Sequence, residues 1–387
     1  MFRFAIVITL LLLVFASLWY IVFGDNLGLT FGTRTAPVLA SGNFSVDFGQ
    51  NAFPKTVSDG TGFFALTNGI VTRFDNSGSL SWEHPINHLN PTFVTAGSYV
   101  AVSELRGRNF QVFGSRGLLY TIAFENDILN YHIAYNGYSA VMTGSGNGYS
   151  INIFSASGDS IKRKEVEERN LFPMSMAISS DGRVLAVSYL SVGEPVVVSY
   201  ICAYYIDEND AANYTDGLFA LFSQVEGEII YNVEFIDENH LMYSSDGRFG
   251  VYEVGPGQRA RHIWSKTFDN RASFVEAVSG VGVAVAFGQP LINRAGFEEG
   301  TFMVYGYNGN ELAAFVMDGP ITYLSSGLEA AIVGGGPLGR SFSAITYRNR
   351  VAWEYTATSD VLDFVVLDRP ERVLMVTPTR MEIMEVR

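Results

Sequence analysis

A five-residue phrase recurs along this chain at an interval close to 40 residues, and few folds accommodate that interval. An aromatic residue is followed four positions later by glycine, and an apolar strand begins almost at once. The phrase reads Phe74-Asp75-Asn76-Ser77-Gly78 ahead of Leu80-Ser81-Trp82. It returns as Phe113 to Gly117, as Phe154 to Gly158 and as Tyr305 to Gly309. Each copy has hairpin chemistry: a strand ends on an aromatic, polar residues turn, and glycine supplies the positive φ that the turn needs. The first three glycines stand 39 and 41 residues apart. A period of this size built from short strands predicts a β-propeller, one four-stranded blade per repeat.

Composition restricts the partners. Lys plus Arg is 25 and Asp plus Glu is 39, a net charge of −14. Phosphate backbones need basic surface, so nucleic acid is not an expected partner. The single cysteine, Cys202, excludes an intrachain disulfide and a cysteine metal cluster. It lies in the apolar run Val196 to Ala203 and reads as a small buried hydrophobe.

Residues Phe4 to Phe23 carry no charge. At helical rise such a stretch spans roughly 30 Å, one hydrocarbon core, and Trp19 and Tyr20 sit where an aromatic belt forms. Arg3 precedes the stretch and Asp25 follows it. Residues 1–25 are therefore expected to be an uncleaved signal anchor, a transmembrane helix with its amino terminus cytoplasmic and the remainder extracytoplasmic, periplasmic or extracellular. A cleaved signal peptide is the alternative, but its apolar region would be only roughly 7–15 residues. No cysteine adjoins the stretch, so a lipid-anchored amino terminus is not expected. Residues 26–42 read as a tether and 43–387 as the propeller.

Strand patterns divide the propeller. Blades two, three and seven each show four strands, for example Tyr131–Ala134, Ser139–Met142, Ser150–Phe154 and Ser160–Val166 in blade three. Blade one shows Phe63–Leu66, Ile70–Phe74 and Leu80–Trp82, and blade six shows Val283–Phe287, Thr301–Tyr305 and Leu312–Val316. Blade five shows a second strand, Leu241–Tyr243, and an outer strand, Ile263–Lys266. Blade four has a long third strand, Val196–Ile206, then a long insertion. The chain ends on three strands, Val361–Leu367, Arg372–Val376 and Met381–Val386. A blade needs four, and Asn43–Phe48 is the expected outer strand, closing the ring with strands from both ends. This gives an all-β, eight-bladed propeller; seven blades is the alternative if one boundary is misplaced.

On these phrases the chain resembles the quinoprotein-like and WD40-like propellers, and among them the membrane-anchored extracytoplasmic propellers of unknown function found in bacteria. The resemblance covers roughly Phe44 to Arg387. The Gly-His and Trp-Asp pairs of WD40 blades are absent, and the tryptophan-docking phrase of quinoproteins is expected only in blade one, Asp75 through Gly78 to Trp82. The outer-membrane assembly propeller is similar in being eight-bladed and extracytoplasmic, but it is a lipoprotein.

No catalytic constellation is visible. His84 and His88 flank Pro85 in a loop, and the other histidines fall in different blades. Asp207, Asp210 and Asp216 are weak metal candidates, because the spacing that a calcium loop needs fails at Ala211. Gly334 to Arg340 lacks the ending of a phosphate-binding loop. Successive strands reverse, so the loops between second and third strands share a face with the interblade connections. Among such loops, Leu105 to Asn109, Gly288 to Gly300 and Gly334 to Arg340 carry Arg106, Arg108, Arg294 and Arg340, and this face is the expected docking surface for a protein partner or an anionic group. The blade-four insertion emerges on the opposite face. The expected function is a non-enzymatic scaffold or sensor at the cell envelope, without a cofactor. The alternative is a quinoprotein-like ligand-binding or enzymatic propeller using its central channel. That needs convergent polar groups on the first strands, which read as mostly apolar or small.

Overall fold

The computed structural model describes residues 37–48, 54–146, 148–167, 170–193, 196–255, 260–268, 272–288 and 299–386. The expected membrane stretch Phe4–Phe23, most of the tether and Arg294 lie outside these residues. Among the described residues, no helix is long and apolar enough to cross a membrane.

Residues from Val38 onward form one unit of eight four-stranded antiparallel sheets. Seven of them take their strands in chain order: 55–85, 92–123, 128–166, 171–226, 230–267, 272–317 and 321–356. The eighth joins Asp363–Arg369, Arg372–Val376 and Arg380–Val386 to the amino-terminal strand Leu39–Asp47. That strand runs antiparallel to the last one, from Leu39 opposite Val386 to Asp47 opposite Arg380. The ring is thus eight-bladed and closed by both ends of the propeller sequence. The closing strand begins at Leu39, so residues 39–41, read as tether, pair within the sheet.

Middle strands read as continuous apolar runs because both of their faces are covered by neighbouring blades. Ala330–Gly335 is buried at every position and Gly62–Thr67 at all but the last. Outer strands such as Gly117–Ala123 expose alternate residues, as a half-covered strand does. The first strands of blades one, five and six, Lys55–Ser58, Ile230–Phe235 and Ala272–Val278, were not legible as strands. They are short or carry Glu, Asn and Ser among their apolar residues. In blade four the insertion is shorter than expected. It holds one helical turn, Glu208–Ala211, and a tight turn, Thr215–Gly217, and then the outer strand Leu218–Glu226.

Three of the four recurring glycines, Gly78, Gly158 and Gly309, couple adjacent blades, while Gly117 has open space around it. A Cβ on Gly309 would stand 2.9 Å from the ring of Trp264, which belongs to the outer strand of the preceding blade, and one on Gly158 would stand 2.7 Å from Tyr120. Gly78 is covered in the same way by Phe44 of blade eight. Indole nitrogens add hydrogen bonds into the following blade: Trp82 Nε1 donates to Ser115 O at 3.1 Å, Trp264 Nε1 to Tyr307 O at 2.9 Å and Trp353 Nε1 to Pro370 O at 2.7 Å. Aromatic docking is therefore not confined to blade one. The docking ring and the glycine it covers come from successive repeats, and the ring is Trp, Tyr or Phe, so a within-repeat phrase does not reveal it.

Candidate functional site

The fold presents two faces and a central channel. One face carries the second-to-third strand loops together with the interblade connections; here it is called the loop face. Arg106, Arg108 and Arg340 all lie on it. Arg106 sits at a loop tip with a positive φ of 65°. Its N–H donates to Ile128 O at 2.7 Å, and Ile128 N–H donates back to Gly107 O at 2.8 Å. Arg108 Nε contacts Asp127 at 3.2 Å and Arg340 Nη2 contacts Asp360 at 3.0 Å. Both carboxylates stand in interblade connections, so the two loop classes do meet on one face. The arginines belong to blades two and seven, however, with blades one and eight between them. They do not form one patch, and two of the three are neutralised locally.

The sequence reading missed the apolar side chains beside them. Leu89, Leu338 and Leu105 are 97%, 86% and 54% exposed, all on the loop face. Leu89 is not a loose tip. The Glu104 carboxylate accepts the backbone N–H groups of Leu89 at 3.1 Å and Asn90 at 2.9 Å, tying one interblade connection to the loop that carries Leu105. The signal for this lay in leucines within loops that have no strand or helix periodicity to serve.

The three aspartates of the blade-four insertion do not converge. Asp207 caps the short helix by accepting Asn209 N–H at 2.8 Å. Asp210 accepts Arg183 Nη2 at 2.8 Å, and Asp216 pairs with Lys164. Among the described residues, no group of three His, Cys, Asp or Glu is placed to hold a metal ion. His84 packs on Phe113, while His88 Nε2 meets Gln111 Oε1 at 3.2 Å.

The channel corrects the expectation of an apolar or small lining. First strands and their following turns surround a cavity of about 330 Å³ whose wall includes Asp59, His132, Glu234 and Asp363 along with hydroxyls such as Thr56, Thr95, Ser279 and Ser325. Alternate residues of these strands are polar: Asn232 and Glu234 in Ile230–Phe235 flank Val233, which goes into the interblade core. Asp363 accepts Tyr323 Oη at 2.6 Å and Thr56 Oγ1 at 3.1 Å. Burial holds its carboxyl above the usual range despite these donors. Asp59 is paired with Arg73 at 2.8 Å. Among the described residues, Glu234 has no such cation. Desolvation, then the neighbouring Glu276, pushes its carboxyl up to about 7, against which only the Ala277 N–H helps. Glu276 is itself raised by burial, which the neighbouring Ser326 only partly opposes. His132 Nδ1 accepts Ile178 N–H at 3.3 Å from the next blade. Burial lowers its imidazole to about 4, so the ring is neutral and Nε2 carries the hydrogen.

The model of a family of unknown function (DUF5711) matches residues 45–386, and the chain belongs to that family. No curated protein matches its sequence. Among solved structures it is similar to BamB from Moraxella catarrhalis, at 13% identity and a TM-score of 0.54, over 90% of this chain and 100% of that one. It is also similar to Sqt1 from Chaetomium thermophilum, at 12% identity and a TM-score of 0.53, over 90% and 100% of the two chains. At such identities the likeness is one of fold.

Proposed function

We propose that this DUF5711 member is a non-enzymatic interaction scaffold or sensor. In this reading residues 4–23 hold it in a cell membrane, with the propeller outside the cytoplasm, and a protein partner of the envelope docks on the loop face. One observation carries the docking: Leu89 and Leu105 are held outward on loops that Glu104 braces through the backbone. A leucine fixed in water forgoes burial worth roughly 1.5–3 kcal/mol. A rigid apolar knob is the kind of feature that dominates an interface once a partner covers it, because little entropy remains to be lost on binding. Arg106 adjoins this surface, and Leu338 offers a second apolar contact on the same face at blade seven, beyond blades one and eight. The charge-free stretch Phe4–Phe23, flanked by Arg3 and Asp25, supports the membrane placement.

A photo-crosslinking residue at position 89 or 338, in cells of the source organism, tests both halves. The expected result is a discrete crosslinked protein from these positions and none from position 221, an exposed site on the outer strand of blade four. Equal labelling from all three positions, or recovery of the protein in the soluble cytoplasmic fraction, would overturn the reading.

The quinoprotein-like alternative is disfavoured by charge. An anionic quinone needs cationic partners, and the described cavity wall contains carboxylates but neither lysine nor arginine.

A further inference from the structure

We infer that the central channel binds a small organic cation, a protonated amine or guanidinium, with Glu234 as its principal counter-ion. The inference does not depend on the docking reading above. Three facts about the channel point the same way.

The first is an acid without a counter-charge. Asp59 has Arg73, and Asp363 has two hydroxyl donors. Glu234 has one backbone N–H and a second acid, Glu276, beside it. Enclosing a carboxylate without a cation is costly, and a ring assembled from eight separate first strands offers many easier choices at that position. The second is the room. A cavity of about 330 Å³ lies against Glu234, at the lower end of the range for small-molecule sites, roughly 300–1,000 Å³. The third is the remaining lining. Hydroxyls of Thr95, Ser279 and Ser325 can accept hydrogen bonds from N–H donors, and the neutral His132 adds no positive charge to repel a cation.

A bare metal ion suits the channel less well. Glu234 and Glu276 stand together on blades five and six, but Asp59 and Asp363 stand on blades one and eight, and among the described residues no three metal-ligating side chains are grouped. An extended ligand with separated N–H donors matches separated acceptors.

Calorimetric titration of the purified propeller at pH 7.5 with spermidine, with calcium chloride and with the uncharged polyol sorbitol tests the inference. Saturable binding of spermidine alone is expected, weakened at least tenfold in Glu234→Gln. Should that variant fail to fold, Thr95→Lys is the second test, because it places a tethered ammonium in the cavity. It is expected to abolish spermidine binding and to raise the melting temperature. Absence of saturable spermidine binding by the unaltered protein, equal binding by Glu234→Gln, undiminished binding by Thr95→Lys, or tighter binding of calcium than of spermidine would each overturn it.

Discussion

Gly309 lies under the indole of Trp264 with a φ of 83°, and the Trp264 Nε1–H reaches over it to the carbonyl of Tyr307. The glycine is required twice at this position: the left-handed turn penalises a side chain, and the neighbouring blade occupies the space a Cβ would take. The interblade coupling written into the repeat is thus a contact between consecutive repeats.

Gly309→Ala is expected to cost about 1–3 kcal/mol of stability, from positive-φ strain plus displacement of the indole. Trp264→Ala relieves the second part. In a double-mutant cycle followed by urea denaturation, the pair should be less destabilising than the sum of the single changes. Strict additivity would show that Trp264 and Gly309 are not coupled.

Trp353 is fully buried and donates to Pro370 O at 2.7 Å from one blade to the next. Trp353→Ala should cost about 3–5 kcal/mol through the cavity it leaves. Trp353→Phe keeps most of the packing and orphans one carbonyl, so about 1–3 kcal/mol is expected. Equal losses in the two variants would mean that the indole hydrogen bond, and not packing, dominates.

Glu234 and His132 give opposite pH dependences. The folded-state value of Glu234 is raised from 4.5 to about 7, so its contribution to stability is present below pH 4.5 and lost as pH rises towards 7. That of His132 is depressed from 6.5 to about 4, so its contribution is present above pH 6.5 and lost as pH falls towards 4. Without ligand, Glu234→Gln should therefore lose less stability than the unaltered protein as pH rises from 4.5 to 7. His132→Asn should lose more over the same range. Asp363 and Glu276 act with the sign of Glu234; Asp363 cancels from the comparison, while the repulsion between Glu276 and Glu234 is relieved in Glu234→Gln and adds to the same difference. Parallel melting-temperature profiles for the three proteins would contradict the assignment.

Glu104→Ala removes the acceptor that braces Leu89 and leaves the leucine itself in place. Its two charge-assisted bonds are exposed, so a stability loss of about 1 kcal/mol or less is expected. If the loop face docks a partner through a preorganised Leu89, crosslinking from position 338 should fall several-fold in this variant. An unchanged yield would show that the brace has no part in docking.

Strand existence was largely legible in the sequence. Blades two, three and seven could be read strand by strand because their turns carry glycine and their middle strands are continuously apolar. The closing strand was also legible from arithmetic, since three strands at one end required a fourth from the other. The first strand of blade five was harder, because Tyr231, Asn232 and Glu234 interrupt the apolar residues. One of those interruptions, Glu234, lines the channel. A polar residue in a strand looks like noise until it is known which side of that strand meets solvent.

The sequence by itself determined the blade, because a turn glycine, an aromatic and an apolar strand act within some ten residues. It also carried the period that makes blades into a ring. Only the tertiary structure decided what the ring encloses and presents. Glu234 and Asp363 come from blades five and eight, and they share one cavity only because eight first strands converge on an axis. Leu89 and Leu105 share a brace because Glu104 crosses from a loop to an interblade connection. Local chemistry is written at the spacing of a turn; charge placement across a channel is settled by closure, which brings together residues that no local pattern pairs.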